Sequence, residues 1–414
     1  MPKSVVFMLT VLLAFSLLIG CSQNTPSDSM SNEESSLGID TENNEPIEEA
    51  EMFAYLNNTC YKLTNEKSLS IVYIGGSVTD GYGASNQKTK SWAALTTGWF
   101  KESFPDAKIK SSKQSIGGTG SYLASFRFDS EVASKEPDLL FIEFAINDKY
   151  NGENYDRVVR TSETLVRKAY AANPNMDIVY VLTFDAGVQK YDYEQLRAHK
   201  DVAQKYDLLF IKLGESFYKM LQKTGDEFSK YFMDWVHPND EGYKFYSEVI
   251  IDFLSSELIK EDVVRTSLKA KSVPDAQLSK FPLMTDARLV TADKIDLSEA
   301  EGWNYQYTGF SYLGMRYKGR IFSNTAGSKL TFTFEGTDLG LCYGIGPSMG
   351  KISCTVDGGE PVIIDAYRAN INPKEIPLAW NLDAGQHTVV IELLDEKNDA
   401  SAGYDFEIGA ILVN

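Results

Sequence analysis

The regular alternation of apolar, strand-like runs and helical patterns between about residues 54 and 258 constrains the fold more than any other feature. The strand-like runs are Leu69–Ile74, Ala107–Lys110, Leu139–Phe144, Ile178–Thr183 and Leu208–Leu213. The helical patterns are Ser91–Phe104, Tyr122–Ser134, Asn154–Ala172, Tyr193–Tyr206 and Asp240–Leu258, the last with Asn239 as a candidate N-cap. Strands that alternate with helices form βαβ units, which build a parallel sheet covered by helices on both faces. We therefore predict an α/β domain over residues 51–262.

The sequence pattern changes after a linker at residues 263–282. Short runs of alternating polar and apolar residues follow, separated by turns rich in Gly and Asp. These runs are Lys329–Glu335, Lys351–Val356, Pro361–Ala366, His387–Leu394 and Phe406–Val413. Many short strands at such spacing indicate a β-sandwich or jelly roll. Residues 283–414 are therefore predicted to form a second, all-β domain.

The first 50 residues have the character of a targeting segment and a tether. Lys3 precedes an apolar run, Val5–Ile19, and residues 1–20 are predicted to be a signal peptide. The run ends in Leu-Ile-Gly-Cys, which resembles the lipobox of bacterial lipoproteins and implies cleavage before Cys21 and lipid attachment to its thiol. An ordinary secretory signal with a chance cysteine is the alternative. Residues 21–50 are polar and acidic, which predicts a disordered tether.

Charge and cysteine content exclude several classes of partner. The formal net charge is −18, so neither nucleic acid nor an anionic membrane surface is an expected partner. The spacing of the four cysteines fits no zinc-binding pattern. Cys342 and Cys354 have two interpretations, a disulfide between neighbouring strands or two small apolar side chains in a β core, and we favour the second.

A small-residue turn, Gly75-Gly76-Ser77, follows the first strand. Ligands bind at the carboxyl edge of an open α/β sheet, and a hydroxyl held there is a candidate nucleophile. The motif is not the G-x-S-x-G elbow, because Thr79 stands two residues after Ser77. The alternative is that Gly-Gly-Ser is simply a tight turn.

Two later stretches contain candidate donors for an oxyanion. The loop Ser115–Ser121 carries three glycines between a strand and a helix, so its N–H groups are able to face an anion. Asn147 follows the central strand, where its side-chain amide is placed to add a further donor. The glycine pattern is not that of a nucleotide-binding loop, and Asn147-Asp148 is also compatible with a plain turn.

The fourth stretch, Asp234-Trp235-Val236-His237-Pro238, precedes the last helix. His237 is one of only three histidines in the chain. A loop that folds Asp234 onto the Nδ1 atom of His237 would leave Nε2 free to take a proton from a serine. The alternative is a histidine packed at a helix entry.

Together, in this order, the four stretches resemble the SGNH (GDSL-type) hydrolase family over roughly residues 69–250. The roles that the resemblance implies are Ser77 as nucleophile, His237 as base, Asp234 as the residue that orients it, and the Ser77 N–H, Gly118 and Asn147 as oxyanion donors. Gly117 is the second choice within the glycine loop. One residue departs from the family pattern, because the common Gly-Asp-Ser-Leu is Gly-Gly-Ser-Val here, with Gly76 in place of Asp.

The resemblance also implies a flavodoxin-like three-layer α/β/α fold, and the β domain is similar to the jelly rolls that accompany some carbohydrate esterases. The function it implies is a serine esterase that removes acyl groups, foremost O-acetyl, from an acylated carbohydrate, without cofactor or metal. Fold alone does not fix function. Alternatives are a lipid acylhydrolase, a sugar O-acetyltransferase, and a non-catalytic glycan-binding surface lipoprotein. The expected location is extracytoplasmic, with the N-terminal lipid as the only membrane attachment.

A few other side chains carry expectations of their own. Arg127 has two interpretations, a contact with substrate or an ion pair with an acid such as Glu143, and we favour the ion pair. We interpret His199 as a helix-surface or packing residue. Trp235 is expected either in the pocket or in the core. Tyr305, Tyr307, Tyr312 and Tyr317 are interpreted as ordinary strand aromatics in preference to sugar-stacking platforms.

Overall fold

The structure, a computed structural model, describes residues 55–187, 192–258, 266–307 and 316–414. The predicted signal peptide, Cys21 and the tether lie outside these residues, as does Tyr312. Among the described residues, none of the helices has the length and apolar character that crossing a membrane requires.

Five parallel strands form the sheet of the first domain. They are β1 (Ser68–Gly75), β2 (Lys108–Ser115), β3 (Leu139–Glu143), β4 (Asp177–Leu182) and β5 (Leu209–Lys212). Their order is β2-β1-β3-β4-β5, which is the flavodoxin-like order, and every pairing is parallel. Strand β3 is buried along its whole length because helices cover both faces of the sheet. The predicted fold class of this domain is confirmed.

Helices enclose this sheet on both sides. They are α1 (Asn57–Tyr61), α2 (Ser77–Asp80), α3 (Gln87–Lys90), α4 (Trp92–Ser103), α5 (Ser121–Glu131), α6 (Ala145–Tyr150), α7 (Tyr155–Ala172), α8 (Glu194–Lys205), α9 (Leu213–Thr224) and α10 (Asp240–Leu258). Side chains of a strand alternate between faces. Tyr73 of β1 therefore packs with α4 and α10, whereas Val72 and Ile74 pack with α7 and α8. Asn239 caps α10 as predicted, since its Oδ1 accepts the N–H groups of Glu241 and Gly242.

The second domain consists of two antiparallel sheets. Its strands are β6 (Arg288–Thr291), β7 (Ala300–Glu301), β8 (Asn304–Gln306), β9 (Arg320–Ser323), β10 (Lys329–Gly336), β11 (Leu339–Ile345), β12 (Lys351–Val356), β13 (Val362–Asp365), β14 (Asn372–Ala379), β15 (Gly385–Leu393) and β16 (Phe406–Val413). One sheet has the order β13-β12-β15-β10-β7 and the other β14-β11-β16-β9-β8, with β6 added beside β16. The prediction of an all-β second domain is confirmed.

Cys342 and Cys354 lie on β11 and β12, in different sheets, and both are buried free thiols. The favoured interpretation, two small apolar side chains in a β core, is therefore confirmed. Burial raises the pKa of both thiols, that of Cys354 to about 12, so neither is an activated nucleophile.

Helix α5 attaches the two domains to each other. Its Tyr122, Leu123 and Phe126 enter a buried apolar cluster with Ala410 and Leu412 of β16. This contact matters for function because the glycine loop immediately precedes α5. A second link is the buried ion pair of Arg160 with Asp338, whose two N–O distances are 2.6 and 2.9 Å.

Removal of one partner from this ion pair should destabilise the protein strongly, because an unpaired buried charge remains. We expect Arg160→Met to lower the free energy of unfolding by about 3–5 kcal/mol, measured by urea denaturation. The matched control is Lys280→Ala, which breaks the exposed pair of Lys280 with Asp156 and should cost less than about 1 kcal/mol. Equal losses in the two variants would contradict the prediction.

Candidate active site

Ser77 is the first residue of α2 and follows directly after β1 and the cap residue Gly76. This position is the carboxyl edge of the sheet. The Oγ atom of Ser77 lies 2.8 Å from the Nε2 atom of His237, although the two residues are 160 positions apart in sequence. The N–H of Ser77 belongs to the first turn of α2, where backbone donors lack intrahelical partners.

His237 is held by Asp234 in a short loop before α10. The Nδ1 atom of His237 lies 2.8 Å from Asp234 Oδ2, and Asp234 Oδ1 accepts the backbone N–H groups of Val236 and His237. Partial burial acts to raise the pKa of Asp234, but the donors from His237 and Val236 outweigh it and leave this pKa below its usual value. An ionised Asp234 at Nδ1 favours the tautomer in which Nε2 accepts a proton from Ser77.

The glycine loop forms a turn beside Ser77. The carbonyl of Ile116 accepts the N–H of Thr119, and Gly118 between them has φ +78°, a conformation that favours glycine. A Cβ atom on Gly117 would lie 3.7 Å from the Cβ of Ser77. Gly117 and Gly118 both line the cavity above the serine, so the choice of Gly118 as the donor stays a prediction.

Asn147 lies at the start of α6 and packs directly on Gly76. A Cβ atom on Gly76 would be 2.1 Å from the Oδ1 atom of Asn147, so a side chain at position 76 would require Asn147 to move. Asn147 is 7% exposed and faces the cavity. Among the described residues its Oδ1 has no hydrogen-bond partner, so this oxygen is an open acceptor, whereas the predicted oxyanion contact would use the Nδ2 donor of the same amide.

Two carboxylates hold the end of the glycine loop. Asp148 accepts the N–H and the hydroxyl of Ser121, each at 2.8 Å. Glu375 of β14 accepts the N–H of Gly120 at 3.4 Å, so the second domain also contacts this loop. Burial raises the pKa of Glu375 to about 7, and the nearby charges of Glu153 and Asp148 act in the same direction.

A cavity of about 1490 Å³ lies above the serine and is lined by both domains. The α/β domain contributes the exposed aromatic side chains of Tyr82, Tyr150 and Trp235, and the β domain contributes Arg316, Arg320, Phe322, Ser348, Met349, Ile371, Asn372, Pro373, Asp405 and Glu407. Trp235 is 62% exposed, so it is a pocket residue and not a core aromatic. No group of three or more His, Cys, Asp or Glu side chains in the described part of the chain is arranged to hold a metal ion.

The structure also places two other polar side chains. Arg127 forms the expected ion pair, but with Glu131 at 2.7 Å, one helical turn further along α5, and not with Glu143, the acid named as an example. The Glu143 carboxylate accepts the hydroxyls of Thr79 and Thr183 instead. His199 is fully buried and bonds to Asp148 at 2.8 Å, so it is a packing residue and not a surface one.

The tyrosines of the second domain do not behave alike. Tyr317 is buried in the cluster between the domains, where α5 packs on β16. Tyr305 and Tyr307, in contrast, are exposed, with 42% and 69% of their surfaces accessible. Neither of the two is among the residues that line the cavity above Ser77. The interpretation as strand aromatics holds for Tyr305, which lies in β8, whereas Tyr307 and Tyr317 lie outside the strands.

The arrangement at this sheet edge is that of a serine hydrolase. A serine oxygen, an imidazole and a carboxylate form one hydrogen-bonded series beside a glycine loop and an asparagine amide. Residues 73–245 match the model of the GDSL-like Lipase/Acylhydrolase family. The chain therefore contains a GDSL/SGNH-type hydrolase domain, as its sequence motifs indicated. The roles of the individual site residues stay predictions.

Solved structures extend the similarity to both domains. Two crystal structures described as a two-domain esterase (CEX) active on acetylated mannans, one co-crystallized with mannopentaose, superpose with a TM-score of 0.74. The one with mannopentaose is 21% identical and the other 22%, and the match covers 86% of this chain and 94% and 95% of theirs. At this identity the likeness is one of fold. No curated protein matches the sequence.

The close contact between Gly76 and Asn147 gives a test of the predicted oxyanion donor. Gly76→Ala should displace the Asn147 amide and lower kcat on a small ester about 10-fold or more, which corresponds to about 1.4 kcal/mol or more of transition-state stabilisation. The control is Gly98→Ala in α4, where a Cβ atom has no neighbour within 4 Å and kcat should not change. Wild-type kcat in folded Gly76→Ala would contradict the assignment.

Proposed function

We propose that this chain is a serine esterase that removes acyl groups, foremost O-acetyl groups, from a carbohydrate or polysaccharide. The observation that carries the proposal is the hydrogen-bonded series from Ser77 Oγ through His237 to Asp234, with 2.8 Å at each of its two steps. The donors predicted to hold an oxyanion lie beside it, on the same cavity wall.

In the first half of the reaction, Ser77 Oγ attacks the carbonyl carbon of the ester while His237 Nε2 takes the serine proton. The tetrahedral intermediate places its negative charge on the former carbonyl oxygen. The N–H groups of Ser77 and Gly118 and the side-chain amide of Asn147 stabilise this oxygen. His237 then returns the proton to the sugar oxygen as the carbon–oxygen bond breaks. The sugar leaves as an alcohol, and Ser77 keeps the acyl group.

In the second half, water replaces the sugar. His237 Nε2 takes a proton from the water molecule, whose oxygen attacks the acyl carbon and forms a second tetrahedral intermediate. Collapse of this intermediate returns the proton to Ser77 and releases the free acid. Throughout both halves Asp234 keeps the imidazole in one orientation and stabilises its protonated form.

A carbohydrate substrate is supported by the cavity and by the comparisons. The cavity of about 1490 Å³ is far larger than an acetyl group requires, and its lining combines exposed aromatic rings with charged and amide groups. Aromatic faces and polar rims suit a sugar ring, which has apolar faces and a hydroxyl edge. The solved structures with the same two-domain fold are described as an esterase active on acetylated mannans. We therefore place acetylated polysaccharides first among the substrates.

The triad variants test the proposed chemistry. Ser77→Ala and His237→Ala should each lower kcat for release of acetate from a small acetyl ester by about 10⁴-fold or more. Asp234→Asn should lower kcat about 10²- to 10⁴-fold because the imidazole loses its orienting charge. Matched Tm values would show that each variant is folded. Equal activity in wild type and in all three variants would end the proposal.

A panel of substrates separates the alternatives that the sequence left open. Release of acetate from acetylated polysaccharides, measured for each polymer, supports the proposed esterase. A preference for long acyl chains would indicate a lipid acylhydrolase. Transfer of the acyl group to an added sugar, in place of its release, would indicate an acetyltransferase. Glycan binding that Ser77→Ala leaves unchanged, without ester cleavage by wild type, would indicate a non-catalytic binding protein.

We also propose that the mature chain is held on the outer side of a bacterial membrane by a lipid on Cys21. The support is the apolar run that ends in Leu-Ile-Gly-Cys. In a bacterial host that processes lipoproteins, Cys21→Ala should abolish incorporation of labelled palmitate and shift the protein from the membrane to the soluble fraction. The control is Cys354→Ala, a buried free thiol, which should leave the fractionation unchanged. Membrane association of Cys21→Ala equal to wild type would contradict the proposal.

A further inference from the structure

Glu143 is a buried carboxylate that the proposed reaction does not use. It is the last residue of β3 and is completely buried. Its Oε2 atom accepts the hydroxyl of Thr79 at 2.9 Å, and its Oε1 atom accepts the hydroxyl of Thr183 at 2.7 Å. A carboxylate is costly to bury unless it is hydrogen-bonded, so these two hydroxyl donors account for the position of Glu143 in the interior.

The donors identify what the carboxylate holds. Thr79 stands two residues after Ser77, so one of the two donors belongs to the turn that carries the candidate nucleophile. The other, Thr183, follows β4 and ties the carboxylate to the neighbouring strand. Helix α2 has only four residues, and a buried carboxylate that accepts the hydroxyl of its third residue, Thr79, stabilises a turn that would otherwise be marginal.

We propose that Glu143 is a positioning residue for Ser77. Its carboxylate fixes the turn of residues 76–79 and thereby the direction of Ser77 Oγ toward His237 Nε2. This inference rests on the proposed function of Ser77 as the nucleophile. Burial raises the pKa of Glu143 to about 7, while the hydroxyls of Thr183 and Thr79 act in the opposite direction and favour the ionised form. The carboxylate does not contact the reacting atoms, so its effect on the reaction is through geometry.

The isosteric variant Glu143→Gln gives the most direct test. The amide keeps the size of the side chain but removes its charge and replaces one acceptor oxygen by an NH₂ group, so one threonine hydroxyl has to turn and accept a hydrogen bond instead of donating one. We expect kcat on a small acetyl ester to fall about 10- to 100-fold with KM within about twofold of wild type. The rate at which a fluorophosphonate probe labels Ser77 should fall by the same factor, because labelling reports the alignment of the serine without the substrate.

Glu163→Gln is the matched control. Glu163 is also completely buried, and it accepts the backbone N–H groups of Leu278 and Ser279 in the connector between the domains. The two variants make the same chemical change at a completely buried carboxylate. We expect a comparable loss of Tm in both, with kcat and the labelling rate unchanged in Glu163→Gln. Equal losses of kcat in the two variants would overturn the inference, since a general loss of stability would then explain them.

Two further outcomes are decisive. Folded Glu143→Gln with wild-type kcat and wild-type labelling overturns the inference and leaves the proposed function standing. Wild type that neither cleaves the ester nor reacts with the probe overturns both. If Glu143→Gln does not fold, Thr183→Val removes one donor and leaves the carboxylate in place. That variant should lower kcat severalfold with KM unchanged, and wild-type kcat in it would overturn the inference.

Discussion

The site depends on one hydrogen bond, between Ser77 Oγ and His237 Nε2, which joins the first strand of the α/β domain to the loop before its last helix. Tyr82 reinforces this connection from both ends. Its backbone N–H donates to the carbonyl of Ser77, and its ring contacts the His237 ring edge-on at a centroid distance of 4.8 Å. Its carbonyl accepts the hydroxyl of Tyr243 on α10. The serine turn, the imidazole and the last helix are therefore fixed as one unit, which is what proton transfer between the first two requires.

Much of the α/β domain was predictable because its physical signals are local. Strands buried in a parallel sheet are continuous apolar runs, and polar residues directly after them must lie at one edge of the sheet. This reasoning placed Ser77 and Asn147 correctly without any knowledge of the helices between them. Asn239 was predictable as the N-cap of α10 for the same reason, since a cap acts only on the turn that follows it.

Elements without a local signal were missed. Strand β11 is buried along its whole length and contains two glycines, so it shows neither alternation nor the β-branched residues of a typical strand. Helix α9 begins directly at Leu213 after β5, and the apolar run that crosses the junction hid the boundary. The contact of Glu375 with Gly120 spans 255 residues, and no pattern within either segment indicates it. The ion pair of Arg127 was predicted, but its partner is Glu131 at the i+4 position of the same helix and not the distant Glu143 that was named as an example.

The α/β domain contains two histidine–aspartate pairs that differ in burial. One is buried and structural, and the other is accessible and belongs to the candidate active site. His199 with Asp148 and His237 with Asp234 have the same N–O distance, 2.8 Å. Both nitrogens of His199 are engaged, by Asp148 and by the hydroxyl of Ser162, and its side chain is completely buried. A substrate cannot exchange protons with such a ring, so this pair acts as a support.

The buried His199–Asp148 pair nevertheless contacts residues beside the candidate active site. Asp148 also holds the N–H and hydroxyl of Ser121 at the end of the glycine loop, and it directly follows Asn147 at the start of α6. The buried pair therefore holds Asn147 and the glycine loop relative to one another, while in the proposed reaction the more accessible pair would transfer the proton. The proposed reaction needs donors that are held rigidly and a base that the substrate can reach. The buried His199–Asp148 pair serves the first need, and the more accessible His237–Asp234 pair serves the second.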